Sequence, residues 1–197
     1  MNDTSNGLNT HNGHEYVDLG LPSGTLWATC NVGATSPEQT GLYFAFGETT
    51  GFTAEQVKKG ERAFDDKSYK AKDISTNLTL EQDAAHTNLG GDWRMPTKDE
   101  WKELIKNCDA VWMDDYDGTG VAGRVFTSKT NGNSVFFPAA GLCFESSVLN
   151  VGSYGDYWSA SWGSPSGAWF VGFYSGDQYV YGSYRFYGQS VRGVCKK

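Results

Sequence analysis

Gly90-Gly91-Asp92-Trp93-Arg94-Met95-Pro96-Thr97-Lys98-Asp99-Glu100-Trp101 sets the frame for reading this chain. Thr97 and Glu100 have capping-box spacing, in which the threonine hydroxyl and the glutamate carboxylate satisfy two amides orphaned at a helix start. Trp101, Leu104, Ile105 and Cys108 follow at i, i+3, i+4 and i+7, so one face of the helix is apolar for two turns. Cys108 therefore reads as a core thiol. Upstream, Thr79-Leu80-Glu81-Gln82 has the same form, and the helix it opens continues through Ala84 and Ala85 to a stop at Gly90-Gly91. Two helices are thus expected in the first half.

Outward from this section the patterns belong to strands. Tyr16-Val17-Asp18-Leu19 runs into the turn Gly20-Leu21-Pro22-Ser23-Gly24, and Thr25 to Cys30 alternates as a second strand. Gly41 to Gly47 is a short apolar run bounded by glycines, as a buried strand is. From Thr53 to Asp73 more than half the residues are charged, which reads as a solvated excursion with a helical turn. Arg124-Val125-Phe126-Thr127 and Ser134-Val135-Phe136-Phe137 flank Asn131-Gly132, a strong hairpin signal because both residues tolerate positive φ. Further strands are expected around Tyr157, Trp169 to Tyr174, Tyr179 to Tyr181 and Ser190 to Val194. The expected class is α+β, loop-rich, with two helices and short antiparallel sheets.

Length and composition limit what the chain does. Its 197 residues fit one domain that needs no covalent staple, expected over residues 15–197 behind a flexible leader at 1–14, which is rich in Asn, Thr, Ser and Gly. The formal charge of −7 repels a phosphate backbone, and no basic stripe offsets it, so nucleic acid is an unfavourable partner. No apolar run has transmembrane length, and no export signal follows Met1. Cys30, Cys108, Cys143 and Cys195 stand singly, which favours free thiols over bridges without settling the pairing.

Candidate catalytic and metal motifs fail on spacing. Asp114-Asp115-Tyr116-Asp117-Gly118-Thr119-Gly120 lacks the closing glutamate of a calcium loop, since the next Glu is Glu145, and it reads as a polar turn. His11 and His14 fall in the leader and His86 stands alone on a helix, so no metal site is expected. No nucleophile elbow, P-loop or dinucleotide fingerprint occurs, and no catalytic set or cofactor is nominated.

The strongest functional signal lies between Tyr157 and Tyr187, where 12 of the 29 aromatic residues fall in 31 positions with only Asp177 and Arg185 charged. Tyr and Trp give stiff amphipathic contact area while Ser and Gly let the backbone adapt, as in antibody binding loops. No Leu or Ile occurs from Tyr154 to Val191, although a core would use them freely. Tyr179 and Tyr181 share one side of a strand by the two-residue period. Trp158 and Phe173 are expected inside.

Two groups of motifs carry a resemblance. Gly90 to Trp101 is similar to the G-G-x-W-R-x-P-T-x-x-E-W segment of the formylglycine-generating branch of the C-type lectin fold, and Gly188-Gln189-Ser190-Val191-Arg192-Gly193-Val194 resembles its closing strand. More closely, Glu15 to Ala28, Phe137-Pro138-Ala139-Ala140-Gly141 and Tyr157-Trp158-Ser159 resemble a paralogous family of surface domains in gut Bacteroidetes, which includes variable proteins of diversity-generating retroelements. The resemblance spans Glu15 to the C-terminus. It implies a C-type-lectin-like scaffold, a cell-surface, extracellular or phage-virion location, and a non-enzymatic role in binding a protein or glycan ligand. It also implies sequence variation just before the C-terminus. Tyr174, Asp177, Tyr179, Tyr181, Tyr184, Phe186 and Tyr187 suit adenine-randomised codons, whereas Trp162 and Trp169 need a different template codon. These nine residues form the expected ligand site, with Tyr157, Trp158, Phe173, Arg185, Val191 and Arg192 as framework. The main alternative is a structural or adhesive subunit of a bacterial surface assembly. An oxidase of the formylglycine-generating type ranks lower because Cys143 and Cys195 lack a matching context, and a calcium-dependent lectin ranks low because no E-P-N or W-N-D motif occurs.

Overall fold

The computed structural model describes residues 9–197. In chain order the strands are β1 Asn9–His11, β2 His14–Asp18, β3 Thr25–Asn31, β4 Tyr43–Phe44, β5 Cys108–Met113, β6 Gly123–Ser128 and β7 Ser134–Pro138. They continue with β8 Leu142–Phe144, β9 Ser147–Leu149, β10 Gly155–Trp162, β11 Gly167–Phe173, β12 Gln178–Tyr184, β13 Gln189–Ser190 and β14 Arg192–Lys196. Helices α1 Ala54–Lys58, α2 Ala84–Leu89 and α3 Lys98–Asn107 all precede β5.

Fourteen strands against three α-helices of 5, 6 and 10 residues make the described chain predominantly β. That overturns the α+β class, expected with a C-type-lectin-like scaffold and two helices. Capping boxes announce even a short helix, whereas strands of two or three residues carry too few positions to show an alternation. The capping box at Thr97 forms as expected, and Trp101 and Leu104 of α3 are buried. The helix expected from Thr79 splits in two. Residues Leu80–Gln82 make a single 3-10 turn, and α2 starts afresh after Asp83, whose carboxylate accepts from the His86 N–H at 2.9 Å.

The strands form four sheets in the orders β1-β2-β3-β14, β12-β11-β10-β13-β4, β5-β6-β7 and β8-β9. Pairing is antiparallel except between β10 and β13. The hairpin β6–β7 closes through residues 129–133, not through a two-residue turn. Gly132 alone of these residues takes a positive φ, of 77°, and the Asn131 side chain donates to the Asp18 carbonyl at 2.9 Å. The leader boundary also moves. Residues 1–8 lie outside the described chain, but His11 and His14 pair across the β1–β2 hairpin, and Trp93 Nε1 donates to the His11 carbonyl at 2.9 Å.

The Gly90 to Trp101 stretch ties these pieces together. Arg94 exchanges backbone hydrogen bonds with Val194 of β14 and sets its guanidinium on both Glu100 oxygens, at 2.7 and 2.5 Å. Burial raises the pKa of Glu100, but the bonds from Arg94 and the Thr97 amide outweigh it and hold the carboxyl at about 2.

The charged excursion from Thr53 to Asp73 is anchored to the interior. Val57, Phe64 and Tyr69 are buried, and Arg62 lies inside against Glu48 Oε2 at 2.7 Å and over the Phe64 ring at 5.2 Å. Its apolar anchors are too sparse to make a period, so its charges read as a wet face.

Candidate functional site

The five-stranded sheet carries five of the nine expected ligand residues in its strands, Trp162, Trp169, Tyr179, Tyr181 and Tyr184, and the other four lie in the connections before and after β12, so its register decides where the strand residues point. Asp156, Gly172 and Tyr179 lie in one cross-strand row, and Trp158, Phe170 and Tyr181 lie in the next. Directly opposed residues share a sheet face. Tyr179 and Tyr181 therefore occupy one face together, as their spacing in the sequence implies. Trp169 opposes Gly182 and belongs to the other face, which α3 covers. There the Lys98 and Lys102 ammonium groups stand 4.6 and 5.8 Å from its ring centroid.

With Trp169 set apart on that face, the other eight residues of the expected site divide into four groups. Tyr181 and Tyr184 are the open members, 70% and 54% exposed, because β12 is the edge strand. Tyr179 is half-buried. Its ring lies over Gly172, where a Cβ would come within 2.6 Å of it, and meets Phe170 edge-on at 5.9 Å. Tyr174 and Asp177 sit at the β11–β12 turn, closed by the Tyr174 N–H donating to the Asp177 carbonyl at 3.0 Å. Trp162, Phe186 and Tyr187 gather at the opposite end with Tyr184. Tyr184 and Phe186 stack at 5.3 Å, and Tyr187 meets Tyr184 at 5.6 Å and Phe144 at 5.3 Å, both nearly edge-on.

Three contributors escaped the sequence reading. Tyr154 and Phe144 lie outside the dense aromatic window, yet Tyr154 faces Tyr174 at 5.5 Å and Phe144 completes the cluster around Tyr187. The third is the segment from Asp66 to Ser75, which walls a cleft of about 350 Å³ against Trp162, Pro165, Ser166, Arg185 and Phe186. Its charge density disguised this role. Arg185, placed in the framework, is buried and clamps that wall by donating to the carbonyls of Ile74 at 2.6 Å and Lys72 at 3.1 Å.

Of the other framework residues, Tyr157, Trp158, Phe173, Val191 and Arg192 are buried, which the sequence reading expects of Trp158 and Phe173. All four cysteines are free. Cys108 and Cys143 are buried, and desolvation pushes their thiols up to about 11 and about 12, which makes them poor nucleophiles at neutral pH. No cluster of three potential metal ligands occurs among the described residues. No described helix is long and apolar enough to cross a membrane.

Asp156 is the one strongly perturbed carboxyl on the tyrosine-bearing face. It is 4% exposed, and burial raises its pKa to about 7. The unfolded carboxyl ionises near 3.8, so between 3.8 and about 7 the native state binds more protons and stability falls as pH rises. Asp156→Asn is expected to raise the melting temperature at pH 8 by roughly 3 °C or more and to leave it unchanged at pH 4. Calorimetry at the two pH values checks this, and an equal gain at both would show that Asp156 is already neutral or solvated.

Comparison with protein-family models, with curated proteins and with solved structures finds no match for this chain.

Proposed function

We propose that this protein is a non-enzymatic ligand-binding domain that engages a protein or glycan through the aromatic surface around β12. The exposure of Tyr181 and Tyr184 on an edge strand carries this reading. Large rings left in water contribute little to the fold, but they bring large contact area at low entropic cost when a partner covers them. Glycine and serine around them, at Gly182 and Ser183, keep the surface shallow and adaptable. The resemblance to retroelement-diversified surface proteins fits this placement, because an edge strand and the turns beside it accept substitution without disturbing the core. We extend the reading to a display role on a cell or virion surface.

The test is a binding screen of the intact chain and of a Tyr181→Ala/Tyr184→Ala variant against immobilised glycans and surface proteins. Stability of the variant is expected to stay within about 0.5 kcal/mol of the parent, and binding to fall by roughly tenfold or more. Tyr179 stays unaltered, since its ring covers Gly172. A variant that unfolds would place these rings in the core. A variant that binds as the parent does would move the site elsewhere.

A further inference from the structure

Strand β12 is an open edge that lacks the usual protection of one. It runs from Gln178 to Tyr184 with no charge and no proline, and it pairs with β11 residue for residue, without a bulge, from Gly167 opposite Tyr184 to Phe173 opposite Gln178. Edge strands ordinarily carry a lysine, a proline or a bulge that stops another strand from adding to them.

Backbone parity fixes which groups this edge offers. At one end of the hairpin the Tyr174 N–H donates to the Asp177 carbonyl at 3.0 Å, and at the other the Arg185 N–H donates to the Ser166 carbonyl at 3.2 Å. Odd-numbered residues of β12 therefore bond to β11, and even-numbered residues turn their N–H and C=O groups outward. The N–H and C=O of Val180, the N–H and C=O of Gly182 and the N–H of Tyr184 meet no partner among the described residues. The Tyr184 carbonyl accepts from the Tyr187 N–H at 3.1 Å, which ends the row. Free groups at every second residue are the template that an added strand needs.

The side chains beside this template select what the added strand brings. In an antiparallel addition, the residue facing Gly182 shares one cross-strand row with Gly182 and Trp169. A Cβ at Gly182 would meet nothing within 4 Å, so the row is open from the edge inward. Lys98 and Lys102 hold their ammonium groups 4.6 and 5.8 Å from the Trp169 ring centroid, and neither forms an ion pair among the described residues. A carboxylate on the facing residue crosses the gap over Gly182 towards these lysines. A second copy of the chain fits less well. Two β12 strands paired about Tyr181 would set Val180 against Gly182, leave the lysines unpaired and bring together two bodies of charge −7.

We propose that the β12 edge captures an extended segment of a partner protein as an added antiparallel strand, with an aspartate or glutamate facing Gly182. The inference rests on the ligand-binding reading above, makes the ligand a protein, and adds backbone pairing to the contacts of Tyr181 and Tyr184.

The test titrates the nitrogen-labelled full chain with a capped peptide, Thr-Thr-Val-Glu-Val-Thr-Thr, and with versions that carry Gln or Lys in place of Glu. The Glu peptide at millimolar concentration is expected to shift the amide signals of Val180, Gly182 and Tyr184 more than those of Tyr179 and Tyr181. It is expected to bind roughly fivefold tighter than the Lys peptide, a preference that shrinks at high salt and vanishes in Lys98→Gln/Lys102→Gln. Gly182→Pro removes one outward donor and no bond to β11, so its melting temperature is expected to stay within about 3 °C while peptide affinity falls roughly tenfold or more. Peptide methylation gives the same answer with the protein unaltered. An N-methyl group on the glutamate, whose amide faces β12, is expected to abolish binding, whereas N-methyl groups on the two valines, whose amides face away, are tolerated.

The proposal is overturned if no peptide shifts the β12 amides, if the Glu, Gln and Lys peptides bind alike, if the Glu preference survives loss of both lysines, or if the two methylations act alike. A dimer in sedimentation that Gly182→Pro dissociates would give the edge to a second copy and overturn it too. Absence of peptide binding while glycan or protein binding still depends on Tyr181 and Tyr184 overturns the edge proposal alone and leaves the aromatic surface standing.

Discussion

Trp93→Ala is expected to destabilise the protein by about 3–5 kcal/mol and to lower its melting temperature by roughly 10 °C. The ring has no exposed surface and lies in the largest core cluster with Leu89 of α2 and Cys195 of β14. It packs on Gly193, where a Cβ would sit 3.1 Å from the indole, and its Nε1 donates to the His11 carbonyl. Truncation therefore opens a cavity where α2, β14 and the β1–β2 hairpin meet, and it removes the bond that holds the hairpin down. Adjacent Arg94 holds β14 by two backbone hydrogen bonds of 3.0 and 2.8 Å, so collapse into the cavity is resisted and the cost stays high. Trp93→Phe keeps most of the volume and is expected to cost about half as much. Thermal unfolding of both variants checks this, and a loss below about 1 kcal/mol for alanine would mean that the site repacks.

Arg192→Met is expected to cost about 3 kcal/mol or more, and Arg192→Lys is not expected to rescue it. The residue is fully buried at the start of β14. Between Arg192 and Val194 the pairing with β3 slips, because Arg192 opposes Asn31 while Val194 opposes Trp27. That slip leaves β3 carbonyls without ladder partners. The guanidinium takes them, donating to Ala28 and Thr29 at 2.9 and 2.6 Å, and it also reaches Asn31 Oδ1 at 2.9 Å and the Phe136 carbonyl at 3.0 Å. Its plane lies over the Phe137 ring at 4.4 Å. Methionine fills a similar volume but leaves three buried carbonyls unsatisfied. Lysine supplies a point charge with no fork to span both β3 and β7. Denaturant unfolding measures the loss, and a lysine variant as stable as the parent would show that charge, not geometry, is what the site requires.

Both predictions rest on contacts far apart in the chain, and the ligand surface too was legible only in part. The density of aromatics between Tyr157 and Tyr187 marked the region, and the period of two put Tyr179 and Tyr181 on one face. Neither signal distinguishes Tyr181, at 70% exposure, from Tyr179, whose ring is pressed onto Gly172 from across the sheet. Trp169 was grouped with them, but odd-numbered residues of β11 face the opposite way from odd-numbered residues of β12. The turn between the strands reverses the parity, and the register alone reveals it.

What the sequence determined by itself was local. The capping boxes at Thr79 and Thr97, the apolar face of α3, the positions of the long strands and the aromatic content of the C-terminal third all depend on neighbours within a few residues. The tertiary structure alone decided the β-rich class, the division of the nine candidate residues among five places, and the cleft beside Trp162. The elements that cover one face of β10–β12 and leave the edge of β12 open come from far away in the chain. Helix α3 covers one side, and Arg185 reaches more than one hundred residues back to clamp the segment that walls the cleft. Burial depends on what arrives from those distances, and no window of sequence around an aromatic residue contains it.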